Sequence, residues 1–446
     1  MGRLHPKAYI VTLGCPKNEA DSERMARILA AGGYILTDDI DECDIALVNT
    51  CSFITDATEE SISAILDVID DGHVSECNVP VIVCGCMSSR YGEELESEFD
   101  EVSAFVPCER EDEILRIADE CLGITGSLDE DSIPPDDSEE LPDACDQTPI
   151  EAASSSYVKI SDGCSRNCAY CTIPMIRGPY RSFTAEDILD DVRTKVSEGA
   201  REIVLIGQDT GIWGKDFHDG STLASLLKFL ASRFPNTWFR IMYTQPESID
   251  DELLSTIADT PNVCSYLDIP MQHCSSRVLS SMGRRGSKAS LLELVSKIRL
   301  TIPDVAIRTT LMAGFPGETE GEFEELVSFV EEACFDYVGV FAFSPEEGTV
   351  AAAMGGQIDE DERKWRAERL RTVADAVSSQ VISERVGRRS CVLVEGEEED
   401  GQLRGRTMQQ APEVDGVTYI DRGSLGDTLS ASIVDTLMYD MEAEVL

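Results

Sequence analysis

Apolar residues follow one rhythm over about the first 120 positions, lose it, and then resume in two further patterns. At the start, short β-branched runs alternate with amphipathic stretches, as in the βα units of a parallel sheet. AYIVTLG, DIALVNT and VPVIVCG read as strands, with AFVP a weaker fourth. DSERMARILAAGG reads as a helix with Asp21 as its N-cap and a Gly-Gly stop, and TEESISAILDVIDDG repeats the scheme. Beyond it the pattern dissolves into GSLDEDSIPPDDSEELPDACDQTP, whose Asp, Glu, Pro and Ser cannot bury a core. That stretch predicts an acidic linker, with Cys145 in it a bystander.

Strand-like runs then return with helices between them: YVKIS, EIVLIG, WFRIMY, SYLDIP, AIRTTLMAG and YVGVFAF. About six βα units predict an open, partial (β/α)6 barrel with its chemistry at the C-terminal strand ends. Asp359 to Arg385 reads as a closing helix with i,i+4 charge pairs. The last 60 or so residues change to short strands with glycine-containing turns (SCVLVEG, QLRGRT, TYIDR, TLSASIVDT, EAEVL), which predict a small antiparallel β-barrel. The expected organisation is therefore α/β: a doubly wound parallel-sheet domain over 1–122, a linker over 123–156, the partial barrel over 157–384 and the small barrel over 385–446.

Composition narrows the setting. Hydrophobic residues make up 42% of the 446, enough for two or three cores. No apolar run approaches the ~18 residues of a membrane span, and the N-terminus lacks a signal-peptide core, so a cytoplasmic protein without a membrane partner is expected. Sixteen cysteines in a reducing compartment argue for metal chemistry rather than disulfides. A net charge of −48 argues against tight binding of free nucleic acid. It suits either a basic partner or solubility alone.

The cysteines carry the most specific signal. Cys164, Cys168 and Cys171 form C-x3-C-x2-C directly after YVKIS. Three thiolates on one loop suit a four-iron cluster that keeps one iron open for a small molecule. Structural zinc would need a fourth ligand, and no His or Cys follows Cys171 closely. Cys15, Cys51 and Cys86 are distant in sequence, yet each follows a predicted strand of the first domain. In a doubly wound sheet such ends converge on one crevice, so these three are candidate ligands of a second cluster. Simple packing of buried cysteine is the alternative. Cys84 reads as an interior strand residue, and Cys108, after AFVP, as a possible fourth ligand.

TLGCPKNEADSE, NTCSFI and CGCMSSRY resemble the N-terminal domain of the methylthiotransferases. DGCSRNCAYCTIPMIRGPYRS resembles their radical S-adenosylmethionine loop. LIGQDTGIWG, YLDIPMQH, TTLMAGFPGETE and FAFSPEEGT resemble their barrel, and the final segment their TRAM domain. Pro16–Lys17 is similar to the RimO type, whose members modify an aspartate of small-ribosomal-subunit protein twelve. The resemblance implies two 4Fe-4S clusters, on Cys164/Cys168/Cys171 and on Cys15/Cys51/Cys86, which demotes Cys84 and Cys108. It also implies S-adenosylmethionine as cofactor, a flavodoxin- or ferredoxin-type electron donor and ribosomal protein twelve as partner.

Tyr170 stands where the superfamily places an aromatic near adenine, and an aromatic packing beneath the loop is the plainer reading. Gly207, Gln208 and Asp209 end EIVLIG on the cluster rim, where they would contact the methionine end of the cofactor; Asp209 is alternatively a cap. Gly314, Gly317 and Glu318 in GFPGE read as a close ligand approach or a tight turn. Arg177 and Arg181 read as ligand-reaching groups or surface ion pairs, and His273 as a satisfied core histidine. Phe343, where the family often has Tyr, and Cys274, where it has Ala, depart from the pattern without touching a ligand. A tRNA methylthiotransferase and a non-catalytic iron–sulfur carrier are the rival functions.

Overall fold

The structure, a computed structural model, describes residues 5–124 and 154–446; most of the acidic stretch, with Cys145, lies outside the described residues. The chain divides into two compact units, Met1–Ala152 with Met175–Arg177, and Ala153–Pro174 with Gly178–Leu446.

In the first unit β1 (Lys7–Thr12), β2 (Ile35–Thr37), β3 (Ile45–Thr50), β4 (Val81–Gly85) and β5 (Ala104–Pro107) form one sheet in the order β2-β1-β3-β4-β5. Every pairing is parallel. The central strands β3 and β4 are buried along their whole length, which is why their sequence is almost uninterrupted in apolar residues. Side-chain alternation divides the core between the two faces. Ile45 and Leu47 pack with Met25 and Leu29 of α1 (Pro16–Ala31), whereas Ala46 and Val48 pack with Ile65 and Val68 of α2 (Thr55–Ile69). Chain leaving β1 therefore crosses one face and chain leaving β3 the other, so the switch point lies at their carboxyl ends. The short α3 (Gly72–Cys77) precedes β4, α4 (Cys86–Glu98) follows it, and α5 (Ile114–Cys121) ends the unit.

One expectation fails here. Asp21 is not an N-cap: α1 begins at Pro16 with Cys15 as the capping residue, and Asp21 is a buried residue inside the helix. Proline at the first helical position is pre-set for helix and lacks only an N–H that would have no partner.

In the second unit β6 (Ser155–Lys159) is followed by the two-residue strands β7 (Ser161–Asp162) and β8 (Arg181–Ser182), which pair antiparallel. Then come β9 (Glu202–Ile206), β10 (Trp238–Ile241), β11 (Tyr266–Gln272), β12 (Ala306–Ala313) and β13 (Tyr337–Ala342). The parallel sheets β10-β9-β6 and β11-β12-β13 are joined by a bridge from Phe239 to Val263 and by Thr244 N–H donating to Asp268 O at 2.9 Å. The result is the expected partial barrel of six strands. A helix over Glu360–Ser383, capped by Asp359 and carrying the Lys364–Glu360 and Arg366–Glu362 pairs, packs on β13.

β14 (Arg389–Glu397), β15 (Leu403–Thr407), β16 (Thr418–Ile420), β17 (Thr428–Leu437) and β18 (Asp440–Val445) close into a barrel in the order β14-β15-β16-β18-β17. The pairing of β16 with β18 is parallel, so the barrel is antiparallel in its other pairings only. It seals the N-terminal end of the partial barrel. Glu202, the first residue of β9, accepts from Arg240 at 2.7 Å and from Arg406 of β15. Arg406 also donates to Glu395 at 2.8 Å, Arg240 to Met408 O at 2.9 Å, and Tyr266 to Asp415 at 2.7 Å. Glu202 and Arg240 have no exposed surface. With that end closed, the opposite rim remains for chemistry.

Candidate functional site

The antiparallel pair β7–β8 pins together the two ends of the loop that holds Cys164, Cys168 and Cys171. Gly163 lies at φ +70°, and a Cβ there would stand 2.3 Å from Pro179 O, so only glycine lets the two ends close. Cys164 N–H donates to Gly178 O at 3.1 Å and Cys171 N–H to Cys168 O at 3.1 Å. Ala169 fastens the loop's middle, donating to Met282 O at 2.9 Å and accepting from Ala351 N–H at 2.7 Å. Burial, reinforced by the neighbouring thiols, raises Cys164 and pushes Cys171 up to about 12. A thiolate here needs a cationic partner. Among the described residues no three His, Cys, Asp or Glu side chains converge on one metal ion. Cubane iron asks for a different arrangement, because each thiolate takes its own iron, and three neighbouring thiols on one pinned loop fit that demand.

The rim beside the loop holds both predicted and unpredicted residues. Asp209, after β9, accepts from Arg166 Nε at 2.5 Å, and Arg166 lies inside the cysteine loop. Asp209 makes no side-chain cap bond, so the capping alternative falls. Burial raises its carboxyl although Arg166 opposes the shift. Gln208 donates to Asp162 at 3.1 Å, and a Cβ on Gly207 would stand 2.5 Å from Ser161 Oγ. The Tyr170 hydroxyl accepts from Arg284 at 3.4 Å, and its ring packs on the barrel core. Arg284 also donates to Pro270 O at 2.7 Å, which sets a second guanidinium beside Cys168.

Three buried oxygens on this rim, Gln208 Oε1, Asp209 Oδ1 and Gln245 Oε1, have no hydrogen-bond partner. Each unmet group costs about 1–3 kcal/mol. All three are acceptors, so they fit a ligand that donates, as the amino group and ribose hydroxyls of S-adenosylmethionine do.

Gly314 and Gly317 both adopt positive φ, as a tight turn requires. The Glu318 carboxylate is committed to that turn. It accepts from Gly314 N–H at 3.0 Å and Arg366 at 2.8 Å, and His273 Nε2 faces it at 3.4 Å. His273 Nδ1 accepts from Ser275 N–H at 2.9 Å, but its buried Nε2 has no hydrogen-bond partner, so the expected core histidine is satisfied at one nitrogen only. Phe343 and Cys274 are buried in the barrel core.

In the first unit Cys15 caps α1, Cys51 follows β3 and Cys86 opens α4, so all three stand at carboxyl ends of neighbouring strands. A Cβ on Gly14 would stand 2.9 Å from Cys51 Sγ, which keeps the residue before Cys15 a glycine. Burial raises Cys51, with the nearby Cys15 thiol adding to the effect. A hydrogen bond to Cys86, and then burial, push Cys108 far up, so Cys108 is a neighbour of this set. Cys84 is fully buried within β4, the interior residue it was read to be. The convergence, the burial and the softness of the sulfurs fit a second cluster. Arg177 is no surface ion pair: its side chain is 2% exposed and meets Asp21 at 2.7 Å. Arg181 is exposed.

Comparison with known proteins follows the same division. The family model of the uncharacterized protein family UPF0004 matches residues 7–107, that of the radical SAM superfamily 158–330, and that of the TRAM domain 386–446. The chain is 41% identical over 447 residues to the ribosomal protein uS12 methylthiotransferase RimO of Geotalea uraniireducens, covering 99% of both chains. It is 39% identical over 443 residues to the protein of that name in Clostridioides difficile, again covering 99% of both. Among solved structures, the radical S-adenosylmethionine methyltransferase TsrM of Kitasatospora setae superposes with a TM-score of 0.55 at 13% identity, over 78% of this chain and 74% of that one. At that identity the likeness concerns the fold. No helix among the described residues is long and apolar enough to cross a membrane.

Proposed function

The chain belongs to the RimO family of radical S-adenosylmethionine methylthiotransferases, and on that premise we propose that it places a methylthio group on the β-carbon of an aspartate in ribosomal protein uS12. The observation that carries this reading is the pinned loop of three thiols beside three unmet acceptor oxygens on the open rim of a barrel sealed at its other end. When bound there, a 4Fe-4S cluster supplies the electron that cleaves S-adenosylmethionine and begins hydrogen abstraction from the target carbon.

The chain's own residues bind and orient. Cys164, Cys168 and Cys171 hold the cluster, and Arg166 locks their loop to Asp209. Gln208, Asp209 and Gln245 offer acceptors to the cofactor, while Gly207 leaves room beside Ser161. Tyr170 and Arg284 brace the loop from below. Cys15, Cys51 and Cys86 hold a second cluster, which serves sulfur transfer. A flavodoxin- or ferredoxin-type protein in the cytoplasm supplies electrons.

The exposed acidic run Glu397, Glu398, Glu399 and Asp400 of the small barrel favours a basic protein over RNA, because phosphate repels such a surface. Reconstituted enzyme offered uS12 and bulk tRNA in separate reactions is expected to add a methylthio mass to uS12 alone. Modified tRNA with unmodified uS12 would overturn the assignment.

A further inference from the structure

Asn18 and Arg177 organise the thiols at the strand ends of the first unit. Asn18 lies in the first turn of α1, and its Nδ2 donates to Leu13 O at 2.9 Å and Thr50 O at 2.8 Å. One side chain thus ties the exits of β1 and β3, the segments that carry Cys15 and Cys51. Its Oδ1 accepts from Arg177 at 2.7 Å and from Cys86 Sγ at 3.5 Å. Arg177 completes the arrangement, donating to Asp21 at 2.7 Å through Nη1 and reaching Cys86 Sγ at 3.5 Å through Nη2. Its charge also acts on Cys51 and Cys108.

Such a pair is expensive. Arg177 and Asp21 are 2% and 1% exposed, and removing two charges from water costs several kcal/mol per ion. Well-packed apolar residues would serve stability as well or better, so stability alone does not explain the pair. Asp21 and Asn18 hold the planar fork with Nη2 within reach of the Cys86 sulfur, a geometry that lysine's single ammonium cannot reproduce.

We propose that Arg177 is a positioning residue that donates to the Cys86 thiolate and, through its charge, raises the reduction potential of the cluster held by Cys15, Cys51 and Cys86. The inference rests on the second-cluster reading. A nearby cation and a donor to a ligating sulfur both stabilise the more negative, reduced state, which is how a protein tunes such a potential.

The test uses the full chain carrying Cys164→Ala, Cys168→Ala and Cys171→Ala, so that iron can reside only at the strand ends. After anaerobic reconstitution this parent is expected to hold about four irons. Adding Arg177→Gln is expected to keep the iron and move the potential, followed by EPR during a reductive titration, to more negative values. Arg177→Lys is expected to fall between the two, because it keeps the charge and loses the fork. If Arg177→Gln does not assemble, Arg177→Lys against the parent carries the measurement. An unchanged potential in the assembled variants overturns the role of Arg177 while leaving the second cluster in place. A parent that binds no iron overturns the cluster reading and this inference with it.

Discussion

Replacing Cys164, Cys168 or Cys171 by alanine abolishes 5′-deoxyadenosine formation, whereas replacing Cys15, Cys51 and Cys86 together leaves it measurable and stops methylthiolation. The expectation follows from where the thiols stand. The first three share one loop on the barrel rim, beside the unmet oxygens of Gln208, Asp209 and Gln245. Losing one ligand of a three-thiolate site exposes a second iron and dismantles the cluster that S-adenosylmethionine must meet. The other three belong to a separate compact unit with its own cores. Their loss leaves the loop, Arg166 and Asp209 intact. Iron content separates the cases: about eight per wild-type chain and about four in either triple variant. Four in the wild type, unchanged in the strand-end variant, would remove the second cluster.

Arg406→Ala destabilises the second unit by about 1.5–3 kcal/mol, the usual worth of a hydrogen bond to a charged group, because one member of the buried network loses one of its two guanidinium partners. Glu202 is the member left exposed to that cost, fully buried and shared between Arg240 and Arg406. Burial by itself would raise its carboxyl, but the two guanidinia outweigh burial and hold it down at about 2. The folded state thus favours the carboxylate. Its contribution, about 3 kcal/mol, is complete above the ordinary carboxylate range and is lost as the pH falls from about 4.5 towards 2. Urea unfolding of the wild type should show that acid loss, and Glu202→Gln should flatten it while lowering stability at neutral pH. Stability unchanged by Arg406→Ala would show that the small barrel is not fastened through this network.

Legibility in the sequence followed the range of the interactions. β3, β4 and β9 were readable because strands buried on both faces need nearly unbroken apolar residues, a local signal. β2 was missed: three residues at a sheet edge carry no such pattern. Asp21 was misplaced because Asp is a good cap in isolation, whereas Pro16 had already set the helix start. The direction of β18 against β16 was invisible, since alternation is the same in parallel and antiparallel pairs. The cysteines were legible because iron demands thiolate. Their supports were not: Arg166, Arg284 and Asn18 gain meaning only from partners far along the chain, and Gln245 only from the burial of its unmet oxygen. Arg240 inside WFRIMY and Glu202 opening EIVLIG are charges in buried strands, and a buried charge announces an opposite one.

The most direct test of the central claim follows the hydrogen. Ribosomal protein uS12 carrying deuterium on its aspartate β-carbons is incubated with reconstituted enzyme, reductant and S-adenosylmethionine, and both products are read by mass spectrometry. The account predicts that deuterium appears in 5′-deoxyadenosine and that one aspartate gains a methylthio group as it loses a single deuterium. Unlabelled 5′-deoxyadenosine beside an unmodified uS12 would contradict it.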